Sequence, residues 1–190
     1  MRERLGLGGI AASKTFKNFE RSAQPAAYDK AVSFWENRRS LVFLGPNGTG
    51  KTHLALAIAN DLLDRIGSVN IPVLFVKFDD ALRQIRKTFQ DGYEGQGEWF
   101  YIERWTTMPV LILDEVGQAG REEPSGDGEF TRRIGYDIID GRYRTGLPII
   151  VTTNKNLKEL CQWITVSAVD RLMEMADFVK MEGRSWRQKR

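Results

Sequence analysis

Three glycines and a Lys-Thr pair fall within one short stretch, Gly45-Pro46-Asn47-Gly48-Thr49-Gly50-Lys51-Thr52. A backbone free of Cβ atoms can curl so that successive N–H groups face phosphate oxygens, and a helix that starts directly afterwards aims its positive end at the same anion. Lys51 adds a point charge for β- and γ-phosphates, and the Thr52 hydroxyl suits a phosphate-bound Mg²⁺. The chemistry implied is the grip of a nucleoside triphosphate; the bland alternative is an exposed glycine turn.

A second group is acidic. Val110-Leu-Ile-Leu-Asp114-Glu115 is an apolar run ending in two carboxylates, at the sheet edge where α/β ligand sites gather. It resembles a Walker B motif, with Asp114 holding Mg²⁺ through water and Glu115 orienting and deprotonating the water that attacks the γ-phosphate. A third polar end follows in Ile149-Ile-Val-Thr152-Thr153-Asn154. Asn154 is either a sensor touching the γ-phosphate or the attacking water, or a helix cap, a role Asn156 fills equally well. A P-loop kinase would need neither this inserted strand end nor the arginine beyond it.

That arginine, Arg171, lies in Val166-Ser-Ala-Val-Asp170-Arg171-Leu172. It either reaches the γ-phosphate of a neighbouring subunit, where such a finger is worth about 10³–10⁵ in rate, or forms a surface ion pair with Asp170 or Glu174. In Ser185-Trp186-Arg187, Trp186 is placed to anchor the segment in the core and Arg187 to fold back on the nucleotide of its own chain. Alternatively Arg184, Arg187, Lys189 and Arg190 form a basic tail on DNA phosphates. Arg83, Arg86 and Lys87 recur at helical spacing, with Phe89 and Tyr93 close by. Cations interleaved with aromatics suit single-stranded DNA; a solvated face with Leu82, Ile85 and Phe89 in the core gives the same pattern. His53 reads as a helix-surface residue.

Five apolar or β-branched runs position these groups: Leu41–Leu44, Val73–Phe78, Val110–Leu113, Ile149–Thr152 and Phe178–Met181. Each has the continuous character of a strand buried on both faces. Helices are predicted at Lys51–Ile66, Asp79–Phe89, Trp99–Trp105, Phe130–Arg144 and Val166–Met175, an alternation that calls for a parallel sheet between helices. Gly67, Pro72, Pro109, Gly146 and Pro148 punctuate the boundaries. Asp91–Glu98 and Gln118–Glu129 read as exposed, mobile connections. Before Ser40 one helix is predicted, Ala26–Glu36, with Phe16 and Phe19 spaced to pack on one side of a turn in a strap across the core.

At 190 residues and 42% hydrophobic content the chain suits one domain, burying about 70% of its unfolded surface. No run is long and apolar enough for a membrane span and the start has no signal core, so a soluble cytoplasmic protein is expected. Cys161 and His53 are each the sole residue of their kind, which excludes an internal disulfide and a structural zinc site. The net charge of +3 is uneven: residues 1–44 carry eight Lys/Arg against four Asp/Glu, residues 180–190 five against one, and the middle 15 against 20. Basic ends on a nucleotide-binding core point to nucleic acid or an acidic partner, or simply to solvated tails.

Taken together, Gly45–Leu54 (GPNGTGKTHL), Leu111–Glu115 (LILDE), Ile138–Tyr143 (IIDGRY), Ile150–Asn154 (IVTTN), Asp170–Leu172 (DRL) and Ser185–Arg187 (SWR) resemble the DnaC/DnaI/IstB group of AAA+ ATPases. The resemblance runs from about Phe16 to the C-terminus. It implies an AAA+ domain over 16–190 with 1–15 as a residual N-terminal arm. The implied fold is a three-layer αβα P-loop NTPase with a five-stranded parallel sheet in the order 5-1-4-3-2. With the chain stopping after the fifth strand, little or no helical lid is expected. The resemblance further implies that Arg171 is the trans-acting arginine finger and Arg187 the second sensor. The segment from Arg83 to Tyr93 then corresponds to the helical insertion that tracks single-stranded DNA. The cofactors implied are ATP and Mg²⁺. Single-stranded DNA, further copies of the chain assembled on it, and a replicative hexameric helicase or a transposase are the implied partners. An ATP-holding regulatory module with little hydrolysis is the reading from another class.

Overall fold

The computed structural model describes residues 2–66, 73–90, 92–117, 128–183 and 185–186. Gly67, Pro72, residues 118–127 of the second polar connection, and Arg184, Arg187, Lys189 and Arg190 lie outside them.

Strands β1 (Ser40–Leu44), β2 (Val73–Lys77), β3 (Val110–Val116), β4 (Ile149–Thr153) and β5 (Ala176–Lys180) form one all-parallel sheet in the order β2-β3-β4-β1-β5. The continuous apolar runs are explained by cover on both faces. Alternate residues go to opposite sides: Leu41, Phe43, Val110 and Ile112 face one core, and Val42, Leu111, Leu113 and Val151 face the other.

On the first side lie α1 (Pro25–Val32), α2 (Phe34–Asn37) and α3 (Lys51–Ile66). The α3 stripe Leu54, Ala55, Ile58, Ala59 and Leu62 is buried on the sheet at helical spacing. The expected Ala26–Glu36 helix is interrupted at Ser33. Residues before it cross α3 in short 3₁₀ turns, with Leu5 and Leu7 buried in the same core. Phe16 and Phe19 both pack on Tyr28, and the buried Asn60 amide donates to the carbonyls of Ala11 and Lys14 at 2.9 and 2.7 Å.

On the second side lie α4 (Phe78–Lys87), α5 (Glu98–Thr107), α6 (Gly128–Thr145), α7 (Leu157–Ile164) and α8 (Val166–Met175). Phe78, expected to end β2, instead opens α4, where Phe78, Ala81, Leu82 and Ile85 form its buried face. Strand β5 starts two residues earlier than expected. Asp177 belongs to it because on this edge strand its carboxylate faces Lys30 and Arg39 at 2.6 and 2.7 Å. Helix α7 was not predicted; a capping box between Asn156 and Glu159 starts it, so Asn156 holds the capping role.

Buried Arg142 on α6 closes the bottom of this layer. Its guanidinium donates to the carbonyls of Trp105, Thr106, Met108, Pro109 and Pro148, joining the end of α5 to the approaches of β3 and β4. Burial pushes its pKa down to about 10.

Candidate nucleotide-binding site

The glycine-rich loop leaves the C-terminal end of β1 and enters α3. Gly45, Gly48 and Gly50 have φ of 142°, 80° and 101°, a region that L side chains rarely adopt. At Gly45 the space is closed as well, since a Cβ would lie 2.0 Å from the Met181 carbonyl oxygen. The Thr49 hydroxyl donates to Pro46 O at 2.9 Å and ties the loop to itself. The Lys51 ammonium donates to the carbonyls of Gly45 and Pro46 at 2.6 and 2.7 Å, which holds the charge beneath the loop.

A cleft of about 270 Å³ opens here, lined by Asn47, Gly48, Gly50, Lys51 and Thr52 from the loop and by Glu115, Thr152 and Thr153 from the neighbouring strand ends. The N-terminal segment contributes Ile10 and Lys14, and α3 contributes His53 and Leu56. His53 is not a free surface residue: its Nε2 is 3.0 Å from both Thr15 O and Asn18 Oδ1, so it ties the segment to α3. Burial lowers its pKa, against a raising contribution from the Thr15 carbonyl.

Asp114 lies under Thr52 and is fully buried. Its Oδ1 accepts from the Thr52 hydroxyl at 2.8 Å and the Thr152 hydroxyl at 2.6 Å, while Oδ2 is buried with no protein partner. Burial pushes its carboxyl above the ordinary value, with the Thr152 and Thr52 hydrogen bonds pulling the other way. A hydroxyl beside a carboxylate oxygen in need of a partner fits a hard cation that keeps several waters and takes its remaining ligands from phosphate. Among the described residues no group of three or more His, Cys, Asp or Glu could hold a metal, so a cation here would depend on Thr52, Asp114 and the nucleotide.

Glu115 is turned out of the strand. The pairing of β3 with β4 shifts between Leu113 and Val116, and Glu115 takes φ 60°, the left-handed region, which costs a non-glycine residue about 1–3 kcal/mol. The bulge brings Glu115 to the cleft while its N–H donates to the Thr152 hydroxyl at 2.9 Å. Its Oε2 is 3.1 Å from Lys77 Nζ at the end of β2, and that hydrogen bond raises the Lys77 pKa.

The cleft thus brings together the glycine loop, Lys51, Thr52 and Glu115, with Asp114 buried beneath Thr52. Asn154 is half-buried outside the lining, with its Oδ1 unpartnered. Arg171 does not line the cleft. Its Nη2 is 2.9 Å from Asp140 Oδ1 on α6, and its guanidinium lies over the rings of Tyr136 and Tyr143 at 4.9 and 5.7 Å. An ion pair with Asp170 or Glu174 is therefore not what it makes; Glu174 instead accepts from the Tyr143 hydroxyl. Arg187 lies outside the described residues, but the two residues near it reach the loop. Trp186 N–H donates to Gly48 O at 3.1 Å, and a Cβ at Gly48 would strike the Ser185 side chain. Trp186 is 40% exposed, so it is not enclosed in the core as expected, and its backbone N–H ties this segment to the loop.

Comparison with known proteins follows the same lines. The profile of the family described as IstB-like ATP binding protein matches residues 2–190. The chain belongs to the IstB-like ATP-binding family. It is 28% identical over 194 residues to an ATP-binding protein of insertion sequence IS5376 from Geobacillus stearothermophilus, which covers 96% of this chain and 71% of that protein. It is 29% identical over 175 residues to the replicative helicase loader DnaC of Escherichia coli K12, covering 89% of this chain and 66% of DnaC. This IstB-like chain thus spans about two thirds of the length of these relatives. Among solved structures, a DnaC helicase loader superimposes with a TM-score of 0.74 at 22% identity, covering 92% of this chain and 100% of that one. DnaI superimposes at 0.70 and 22%, covering 91% and 93%. The sheet order and these neighbours place the IstB-like chain in the AAA+ P-loop fold.

The expected DNA residues of the IstB-like chain are spread along α4 and beyond. Leu82 and Ile85 are buried, whereas Phe89 is 61% exposed, so the solvated-face alternative holds for two of its three core positions. Arg83 pairs with Asp80, Arg86 lies over the Phe130 ring at 4.9 Å, Lys87 is exposed, and Tyr93 shares a hydroxyl contact of 3.0 Å with Tyr101. Sequence reasoning missed Thr152, which serves both carboxylate positions, and Lys77. Both sit at the ends of strands neighbouring β3, as the expected strand order already implied; their contacts with Asp114 and Glu115 depend on register and on the bulge in β3.

Proposed function

We propose that this chain is an AAA+ ATP hydrolase that assembles with further copies on single-stranded DNA and loads a replicative hexameric helicase. The observation that carries the reading is the pair at the end of β3. Asp114 is buried with one oxygen held by Thr52 and Thr152, and Glu115 is bent out of the strand to face the cleft. The backbone cost at Glu115 supports a role for its side chain at the cleft.

In this reading the loop N–H groups and Lys51 bind the phosphates, and Thr52 and Asp114 hold Mg²⁺. When bound, the cation supplies charge neutralisation at the β- and γ-phosphate oxygens. Glu115 orients the attacking water and takes its proton, leaving its pairing with Lys77 to do so. Asn154 reports on the γ-phosphate, Arg171 stabilises charge at the nucleotide of a neighbour, and Arg187 acts from within the same chain. Cationic Arg83, Arg86 and Lys87, with Phe89 and Tyr93, contact the strand.

The test is turnover against binding in Glu115→Gln. Hydrolysis predicts a loss of at least about 10²-fold in kcat with ATP affinity kept; equal turnover in both proteins would leave only the holding module. A second biological reading is favoured by the family description and by the insertion-sequence relatives: the same ATPase serving a transposase. Capture of purified replicative helicase with ATP present supports the loader, and capture of a transposase alone supports the other.

A further inference from the structure

Arg171 is more restrained than an arginine reaching into solvent. Its side chain is 27% exposed, its Nη2 is fixed by Asp140 Oδ1 at 2.9 Å, and two aromatic rings lie under its guanidinium. The restraints are themselves held. Asp140 is nearly buried, and its other oxygen is 2.9 Å from Arg144 Nε, one turn further along α6. The Tyr143 hydroxyl donates to Glu174 Oε2 at 2.9 Å, on the same helix as Arg171. Gly141, beside Asp140, brings α6 against α5: a Cβ there would lie 2.2 Å from the Thr106 side chain.

A guanidinium has five N–H donors in a rigid fork. The carboxylate of Asp140 engages only Nη2, which leaves Nη1 and Nε for an anion from outside. Holding a cation at one donor while others stay available is how a charged group is preorganised without neutralising it.

We propose that Asp140, with Tyr136 and Tyr143, is the positioning device of Arg171: it fixes the guanidinium in its own subunit so that its remaining N–H donors meet the phosphate of the next. The proposal rests on the shared-site reading given above. Misplacement of such a group by about 1 Å can cost roughly 10²-fold in rate, so Asp140→Asn should lower kcat for ATP in the assembled protein by about 10- to 100-fold. KM for ATP should not move, because the nucleotide is gripped by the other subunit.

The experiment mixes variants. Lys51→Ala has a disabled nucleotide loop but an intact finger, and Arg171→Ala has the reverse. Random head-to-tail mixing of either finger-defective variant with Lys51→Ala pairs an intact loop with an intact finger at about one quarter of interfaces. Asp140→Asn should therefore recover turnover with Lys51→Ala and none with Arg171→Ala. Wild-type kcat in Asp140→Asn overturns the proposal, as does failure to recover with Lys51→Ala when the Lys51→Ala and Arg171→Ala pair does recover. If that reference pair fails too, the shared site itself is wrong and the proposal falls with it. Tyr136→Leu, which removes the nearer ring, is the second variant should Asp140→Asn not fold, and it should show the same pattern.

Discussion

Replacing Asp114 by Asn should make the protein free of nucleotide and metal more stable while reducing what Mg²⁺-ATP adds. The ionised carboxylate is fully buried with Oδ2 unpartnered, a desolvation cost of several kcal/mol. Against removing that cost stand two hydroxyl donors, from Thr52 and Thr152, each weakened by about 1 kcal/mol when the acceptor loses its charge. A buried amide N–H₂ in place of Oδ2 costs roughly a further 1–3 kcal/mol. The balance is a gain of about 1 kcal/mol, or a rise in Tm of about 2–4 °C for a chain of this size. The sign agrees with the raised pKa of Asp114. A carboxyl raised above its unfolded value contributes stability below that value and loses it as pH rises through the folded value, so Asp114 favours the fold less at pH 7.5 than in acid.

The assay is thermal unfolding at pH 7.5 with chelator, then with Mg²⁺-ATP at about 100 times Kd. Wild type should gain roughly 2.7 kcal/mol from ligand and overtake Asp114→Asn, which gains less. A variant that melts below wild type in chelator would refute the reasoning, because the carboxylate would then be an asset to the fold.

Three further outcomes follow from the geometry. Gly45→Ala should cost about 2–4 kcal/mol and eliminate ATP binding, since φ 142° and the Met181 carbonyl both exclude a Cβ; Gly146→Ala, at φ 66° with open space around it, should cost only about 1 kcal/mol. Arg142→Lys should cost about 3–5 kcal/mol in denaturant unfolding, because one ammonium cannot serve the carbonyls that the guanidinium fork joins. Asp177→Ala should cost less than about 1 kcal/mol near pH 7, as its pairs with Lys30 and Arg39 are partly exposed. The pKa of Asp177 is lowered by those pairs, so its contribution is present above the ordinary value of 3.8 and lost as pH falls through the folded one; wild type and variant should converge in acid.

The sheet was legible because strands covered on both faces must be apolar throughout, and the loop was legible because only glycine tolerates its backbone. Phe78 was misread for the same reason the strands were found: it extends an apolar run, while the helical spacing of Phe78, Ala81, Leu82 and Ile85 claims it for α4. Helix α7 is short, and its start is announced only by Asn156 and Glu159. Contacts between distant residues left no local signal. Lys77 meets Glu115 because β2 and β3 are neighbours, with Lys77 in register with Asp114. Arg171 meets Asp140 because α8 packs on α6, although both residues stand in the motifs IIDGRY and DRL. The φ of 60° at Glu115 could not be read from an acidic pair at a strand end.

The central claim is that one nucleotide is served by two subunits, and turnover in mixtures of Lys51→Ala with Arg171→Ala tests it most directly. Each variant alone should be nearly inactive, and mixing on single-stranded DNA should restore up to about one quarter of wild-type turnover. Activity that stays at the level of the separate variants at every ratio would contradict the shared site.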